Sequence, residues 1–269
     1  MRFVAKQAKE GINVSDTHPL LEAGTLMLGL AAIFFAIALS LIFLIEIALY
    51  FVSPEDEASL FDGWLPTDLI TVSPTDDRLR ETQLLVDRLT EHAPDSPYQF
   101  RVEIDDSDLA NAMALPGGLI IVTKGLLDQV ESENELAFVI GHELGHFRNR
   151  DHLRALGRGV VLAIFFATVT GSDTAGIGVK TADLALRGFS RRQETNADEF
   201  GLQLVNAEYG HVNEAWRLFQ RWDIDDKSFS RFVTYLATHP EAAARIEDMI
   251  AQAENEGWLT EGEVTSLSW

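Results

Sequence analysis

A chain of 269 residues has room for one good-sized domain and an additional segment. It contains no cysteine, which excludes disulfides and cysteine-built structural zinc, so any metal site must be assembled from His, Asp and Glu. The formal charge of −21 argues against nucleic acid or anionic lipid headgroups as partners of the soluble part, and it names no substrate.

Residues 1–23 are polar and mixed, with Arg2, Lys6 and Lys9 as the basic side chains. From Gly24 to Ile45 there is no charge, and only Thr25 and Ser40 are polar. As a helix this run measures roughly 33 Å, enough to cross a bilayer core of about 30 Å. Glu46 interrupts it, but Ile47 to Val52 continue it, so one transmembrane helix is predicted over 24–52. The run is too long, and starts too far from the N-terminus, for a cleaved signal peptide. Basic residues precede the span, whereas the stretch after it carries Glu55, Asp56, Glu57, Asp62 and Asp68 and no basic residue. The positive-inside rule then leaves residues 1–23 in the cytoplasm and puts everything after Val52 on the outer side.

Residues 53–74, rich in Pro, Asp and Gly, read as a linker or irregular cover, and 75–269 as the folded domain. Thr75 to His92 has Leu79, Leu85, Val86 and Leu89 at near-helical spacing, with Pro94 as a stop. Tyr98 to Ile104 alternates as a strand does, and a second strand is expected at Leu119 to Thr123, after Pro116-Gly117-Gly118. Between them Asn111, Ala112 and Met113 form a candidate edge strand, whose unpaired backbone groups offer an extended peptide substrate a place to lie.

Glu135 to Arg150 is the chemically informative stretch. It contains His142-Glu143-Leu144-Gly145-His146, an HExxH. On a helix, positions i and i+4 share a face, so the two imidazoles can grip one ion and Glu143 stands beside it as a base. Ser132 and Glu135 have capping-box spacing, which starts the helix in time to carry both histidines. Further on, the apolar run Val160 to Val169 is too short to span a membrane and is expected as a buried core helix. Thr181 to Val205, Val212 to Trp222, Phe229 to Ala237 and Pro240 to Ala253 all read as helical.

Catalytic zinc takes three protein ligands and keeps a fourth place open. Two residues compete for the third. His152 has metzincin spacing from His146, but Asn149 stands where that pattern needs glycine, and no methionine lies between Met113 and Met249 to make the usual Met-turn. Glu194 belongs to a separate helix, with Asp198 one turn further along the same face, suited to accept a hydrogen bond from a ligand imidazole. Spacing along the chain leaves open whether the two helices meet.

HELGH, the SRRQETNAD stretch, Thr238-His239-Pro240 with Arg245, and NAMALPGGLIIVTKGLL together resemble family 48 of the metallopeptidases. These are gluzincin-type zinc peptidases that include HtpX-like and CAAX prenyl endopeptidase-like members. The resemblance runs from about Asp76 to Met249. It implies an α+β fold: a mostly helical zincin-like domain with a small β-sheet, preceded here by one transmembrane helix. It further implies one Zn2+ per chain on His142, His146 and Glu194, Glu143 as catalytic base, Asp198 orienting a ligand, and His239 and Arg245 near the site. Within that frame His239 is the candidate donor to the oxyanion, with Tyr235 as the alternative, and Arg245 is expected to pair with Asp198 or another buried carboxylate. The expected activity is endopeptidase action on proteins or peptides in envelope quality control, from a single-pass anchor in the bacterial inner membrane with the catalytic domain on the periplasmic side. A metal-bearing assembly factor with secondary proteolysis is the competing reading. A CAAX-type peptidase would need a lipid-holding chamber that one span does not supply.

Overall fold

Helices begin and end here where side chains can satisfy the orphan backbone groups, and those ends are what position the chemistry. The computed structural model describes residues 18–61, 77–170, 189–224, 235, 239 and 242–269. By its contacts the chain divides into Met1–Leu44 and Ile45–Trp269. In the first unit the described residues form most of helix α1 (Pro19–Phe51), whose apolar side chains are not buried. Among the described residues α1 is the one helix long and apolar enough to cross a membrane.

The second unit holds the last turns of α1, then α2 (Pro54–Leu60), started by a full capping box between Ser53 and Asp56. Helix α3 (Asp77–Glu91) buries Leu85, Val86 and Leu89 of the four apolar positions that its spacing marked, and leaves Leu79 half-buried against the core. Three strands follow: β1 (Arg101–Asp105), β2 (Ala112–Leu115) and β3 (Leu119–Thr123), in sheet order β1-β3-β2. β1 pairs parallel to β3 and β2 pairs antiparallel, joined to it by a turn in which Gly117 and Gly118 take φ of 83° and 80°. All five residues of β3 are buried, as befits the central strand.

The first strand is shorter than its alternation suggests. Pairing starts at Arg101 opposite Leu119, and before Leu119 the partner chain is already in the glycine turn. Tyr98 and Phe100 therefore lack a ladder partner and pack their rings on Phe147 instead.

After the short α4 (Lys124–Leu127) comes α5 (Glu133–Arg148), buried along almost its whole length. Ser132 caps it, accepting from the Glu135 amide at 3.2 Å. The reciprocal half of the expected box is not made. The Glu135 carboxylate accepts from the Glu131 amide at 2.8 Å and pairs with Arg221, whose charge competes better than a single neutral amide. The C-terminal tail ties down the same end, with Thr265 accepting from the Glu133 amide and donating to Asn134 Oδ1, both at 2.9 Å.

Helix α6 (Asp151–Thr170) contains the apolar run from Val160 but starts nine residues earlier, at Asp151. Helix α7 (Arg191–Tyr209) begins in a capping box between Ser190 and Gln193 and ends at Gly210 in the left-handed conformation. Residues 181–188, expected as its first turns, lie outside the described residues. Helix α8 (Arg217–Ile224) starts later than expected because Val212 to Trp216 form turns, with Glu214 at φ 69°. Helix α9 (Ala242–Glu256) completes the domain. Of the helix expected at Phe229 to Ala237 only Tyr235 is described, and Pro240 is not. The main core joins α3, the sheet, α5, α7, α8 and α9. The fold is thus mostly helical with a small sheet and one long apolar helix at the N-terminal end.

Candidate metal centre

The centre forms where α5 crosses α7. A Cβ added to Gly145 would stand 2.7 Å from the Cα of Ala197, and one on Gly141 would stand 3.0 Å from the Cα of Gly201. Glycine at both positions lets the two backbones touch, so short side chains from α7 reach those of α5. His142 and His146 project from α5, and Glu194 and Asp198 from α7; all four are buried.

The two imidazoles are oriented from behind. His142 Nδ1 lies 2.9 Å from Asp198 Oδ1, and His146 Nδ1 lies 3.1 Å from Asp151 Oδ2. Each Nδ1–H donating to a carboxylate leaves the Nε2 lone pair facing forward. Those two Nε2 atoms then face each other at 3.1 Å, and Glu194 places one oxygen 3.6 Å from each. Two lone pairs and a carboxylate turned inward repel unless a proton or a cation sits among them. A tetrahedral cation with bonds of about 2.0–2.1 Å needs ligand atoms roughly 3.3–3.4 Å apart, a value these three distances bracket. His239 completes the group: its Nδ1 is 3.1 Å from His142 Nε2 and 3.1 Å from Glu194 Oε1. One ligand atom from each of the four residues lies within 4.8 Å of the others. Nitrogen and carboxylate donors in this number suit zinc or a neighbouring transition metal.

Glu143 is 1% exposed, and neither of its oxygens makes a hydrogen bond among the described residues. Its nearest basic neighbour is His239 Nε2, at 3.5 Å. A buried carboxylate without a donor is costly.

Electrostatics follow the geometry. Burial works against ionisation of Glu194, yet His239, His146 and His142 hold its carboxyl well below the usual range. Asp198, also disfavoured by burial, is held low by Arg245, which donates Nε to Oδ2 at 2.7 Å and Nη2 to Oδ1 at 2.5 Å. Arg245 Nη1 lies 2.5 Å from Glu194 Oε2 as well, so one guanidinium serves both carboxylates. Burial lowers His142, whereas His146, equally buried, is pushed up to about 9 by Asp151, Glu194 and Glu143.

His142, Glu143, His146, Glu194, Asp198, His239 and Arg245 thus come together in one place. Tyr235 stacks on His239 with ring centroids 4.4 Å apart. His152 does not join the cluster: its Nε2 lies 2.6 Å from Glu57 Oε1. Asn149, at the position where the metzincin pattern turns back, has φ −88°, and the left-handed residue is Arg150, one place later. Ala112 and Met113 sit in β2, which has β3 on one side and no strand on the other among the described residues, while α5 packs across it. Asn111 precedes the strand and exchanges hydrogen bonds with Thr123. Sequence reasoning missed Asp151, and the only available signal was a carboxylate shortly after the second histidine. A cavity of about 440 Å³ takes Leu144, Phe147 and Arg148 from α5 but none of the clustered donors.

The model of Peptidase family M48 matches residues 76–253, a span containing every residue of the cluster. The chain is 31% identical over 172 residues to the mitochondrial metalloendopeptidase OMA1 of Schizosaccharomyces pombe, covering 63% of this chain and 49% of that protein. It is 28% identical over 177 residues to the beta-barrel assembly-enhancing protease of Escherichia coli strain K12, covering 60% of this chain and 36% of that one. With the Arabidopsis thaliana OMA1 the identity is 30% over 155 residues, 57% of this chain and 31% of the relative. The chain therefore spans about half or less of the length of these curated relatives. With an HExxH helix crossed by a glutamate helix, and with the family's model matched along most of its length, the chain belongs to peptidase family M48.

Proposed function

We propose that this chain is a membrane-anchored zinc endopeptidase, with 24–52 as its anchor, 53–74 as a linker and 75–269 as the catalytic domain. The observation that carries this is Glu143, buried and without a hydrogen bond beside two imidazoles whose lone pairs converge. His142, His146 and Glu194 hold one Zn2+, and Asp198 and Asp151 fix the tautomers of the histidines. Zinc, when bound, supplies a Lewis acid for the scissile carbonyl and lowers the pKa of water toward 7. Glu143 takes the proton of the attacking water and delivers it to the leaving amine. His239 donates a hydrogen bond to the oxygen on which charge develops, and Tyr235 supports its ring by stacking. The edge of β2 that no described strand covers, at Ala112 and Met113 with Asn111 beside it, pairs with an extended protein or peptide substrate.

The basic residues before α1 and the acidic stretch after it favour an outward-facing catalytic domain, as for a quality-control protease at a bacterial inner membrane. A reporter fused after Val52 tests this: activity in the cytoplasm contradicts it. The competing reading is an envelope assembly factor with secondary proteolysis, favoured by the name of the Escherichia coli relative. Glu143→Gln separates the two. It is expected to keep zinc and to lose about 10²–10⁴-fold in cleavage of an unfolded protein, together with the cellular role. If the cellular role survives in the inactive variant, the assembly reading replaces the protease reading.

A further inference from the structure

Arg150 sits where α5 ends, with φ 55°, a left-handed conformation unusual for a side chain that is neither Gly nor Asn. Glycine would relieve this turn, yet an arginine occupies it. Its Nη1 donates to the carbonyls of Leu49 at 2.8 Å and Val52 at 2.5 Å, which are orphan acceptors at the C-terminal end of α1. Its Nη2 donates to Glu57 Oε2 at 3.2 Å. Glu57 is fully buried and is fixed in turn by the Tyr98 hydroxyl at 2.7 Å and His152 at 2.6 Å. Arg150 is therefore anchored on one side to two half-buried carbonyls at the end of α1 and to one buried carboxylate.

On its other side is Asp151, one peptide bond away and 2% exposed, whose Oδ2 faces His146 Nδ1 at 3.1 Å. Asp198, the partner of the other histidine, is clasped by the two-pronged Arg245. Among the described residues Asp151 has no such two-pronged clasp. Its Oδ1 accepts from the neutral Gln193 amide at 2.6 Å, and Arg154 stands 3.7 Å off. The placement of Asp151 thus depends more on its backbone, and that backbone is set by Arg150.

We infer that Arg150 is a positioning residue for the metal centre: its grip on the end of α1 and on Glu57 holds Asp151 against His146. This rests on the reading that His146 is a metal ligand. The test is zinc affinity by competition with a chromophoric chelator, alongside thermal unfolding of the metal-free protein, on the full chain and its variants. Arg150→Gly removes the contacts while suiting the left-handed turn, and is expected to weaken zinc binding about tenfold in a folded protein. Asp151→Asn is expected to weaken it about tenfold or more, and the double variant to be no weaker than Asp151→Asn within about twofold. A residue that merely ends a helix predicts the opposite for Arg150→Gly: higher thermal stability and unchanged affinity. That result, or effects that multiply in the double variant, overturns the inference. If Arg150→Gly does not fold, Glu57→Gln serves, with affinity several-fold lower expected and wild-type affinity contradicting. Full zinc binding by His146→Ala would instead mean that the ligand assignment itself is wrong.

Discussion

Gly145 lies against Ala197 so closely that a Cβ on the glycine would stand 2.7 Å from the alanine Cα and 3.0 Å from its carbonyl oxygen. The neighbour is backbone and cannot swing aside, so α5 and α7 must move apart to admit even one methyl group. That crossing is what brings Glu194 and Asp198 to the histidines. Gly145→Ala gains helix propensity, yet overpacking is expected to dominate and to cost about 1–3 kcal/mol. Chemical denaturation reads the stability. Zinc affinity should fall in parallel, and a variant more stable than the parent with intact affinity would show that the crossing tolerates the methyl group.

Arg245 serves both Asp198 and Glu194, and it is 3% exposed. Arg245→Met leaves two buried carboxylates without their cation. Removing one partner of a buried pair typically costs about 3–5 kcal/mol, and this variant is expected in that range. It should also bind zinc more weakly, because Asp198 no longer holds His142 in place. Urea unfolding and chelator competition measure the two effects separately.

Two imidazole nitrogens face each other at 3.1 Å with Glu194 beside them. A cation that binds the folded chain and not the unfolded one stabilises it by mass action. Treatment with a chelator is therefore expected to abolish cleavage and to lower the unfolding temperature, and one equivalent of zinc to restore both. An unfolding temperature that ignores the chelator in a protein shown to contain zinc would contradict this.

Glu57 gives the fold a pH dependence away from the metal. Burial raises its carboxyl, but hydrogen bonds from His152 and Tyr98 and the charge of Arg150 bring it below the ordinary 4.5. A depressed carboxylate contributes stability that is present above its unfolded-state value and is lost as pH falls through the folded one. Stability should thus decline as the solution is taken below about pH 4.5, and Glu57→Gln should flatten that part of the curve. Unfolding of the metal-free protein across pH 3 to 6, roughly the carboxylate range, is the measurement.

Much of this site was legible because its parts are local. HExxH puts a candidate base and two candidate ligands on one helix, Ser132 marks where that helix starts, and the Val/Ile-rich run before Lys124 marks β3 at its observed limits. The meeting of α5 and α7 was not legible from spacing, although Gly141 and Gly145, one turn apart, are its trace in the sequence. Asp151 reaches His146 only because the chain reverses at Arg150, and a left-handed arginine has no sequence signature. Tyr98 alternates like a strand residue but lies before the ladder begins, since strand length is set by the partner as much as by the pattern.

The third ligand decides the account. Glu194 stands 3.6 Å from both facing nitrogens, whereas His152 is bound to Glu57 at 2.6 Å. The direct measurement is the zinc content of purified Glu194→Ala beside His152→Ala. The account predicts that Glu194→Ala loses its zinc while His152→Ala keeps one equivalent and is merely less stable. Zinc lost with His152 and retained without Glu194 would contradict it.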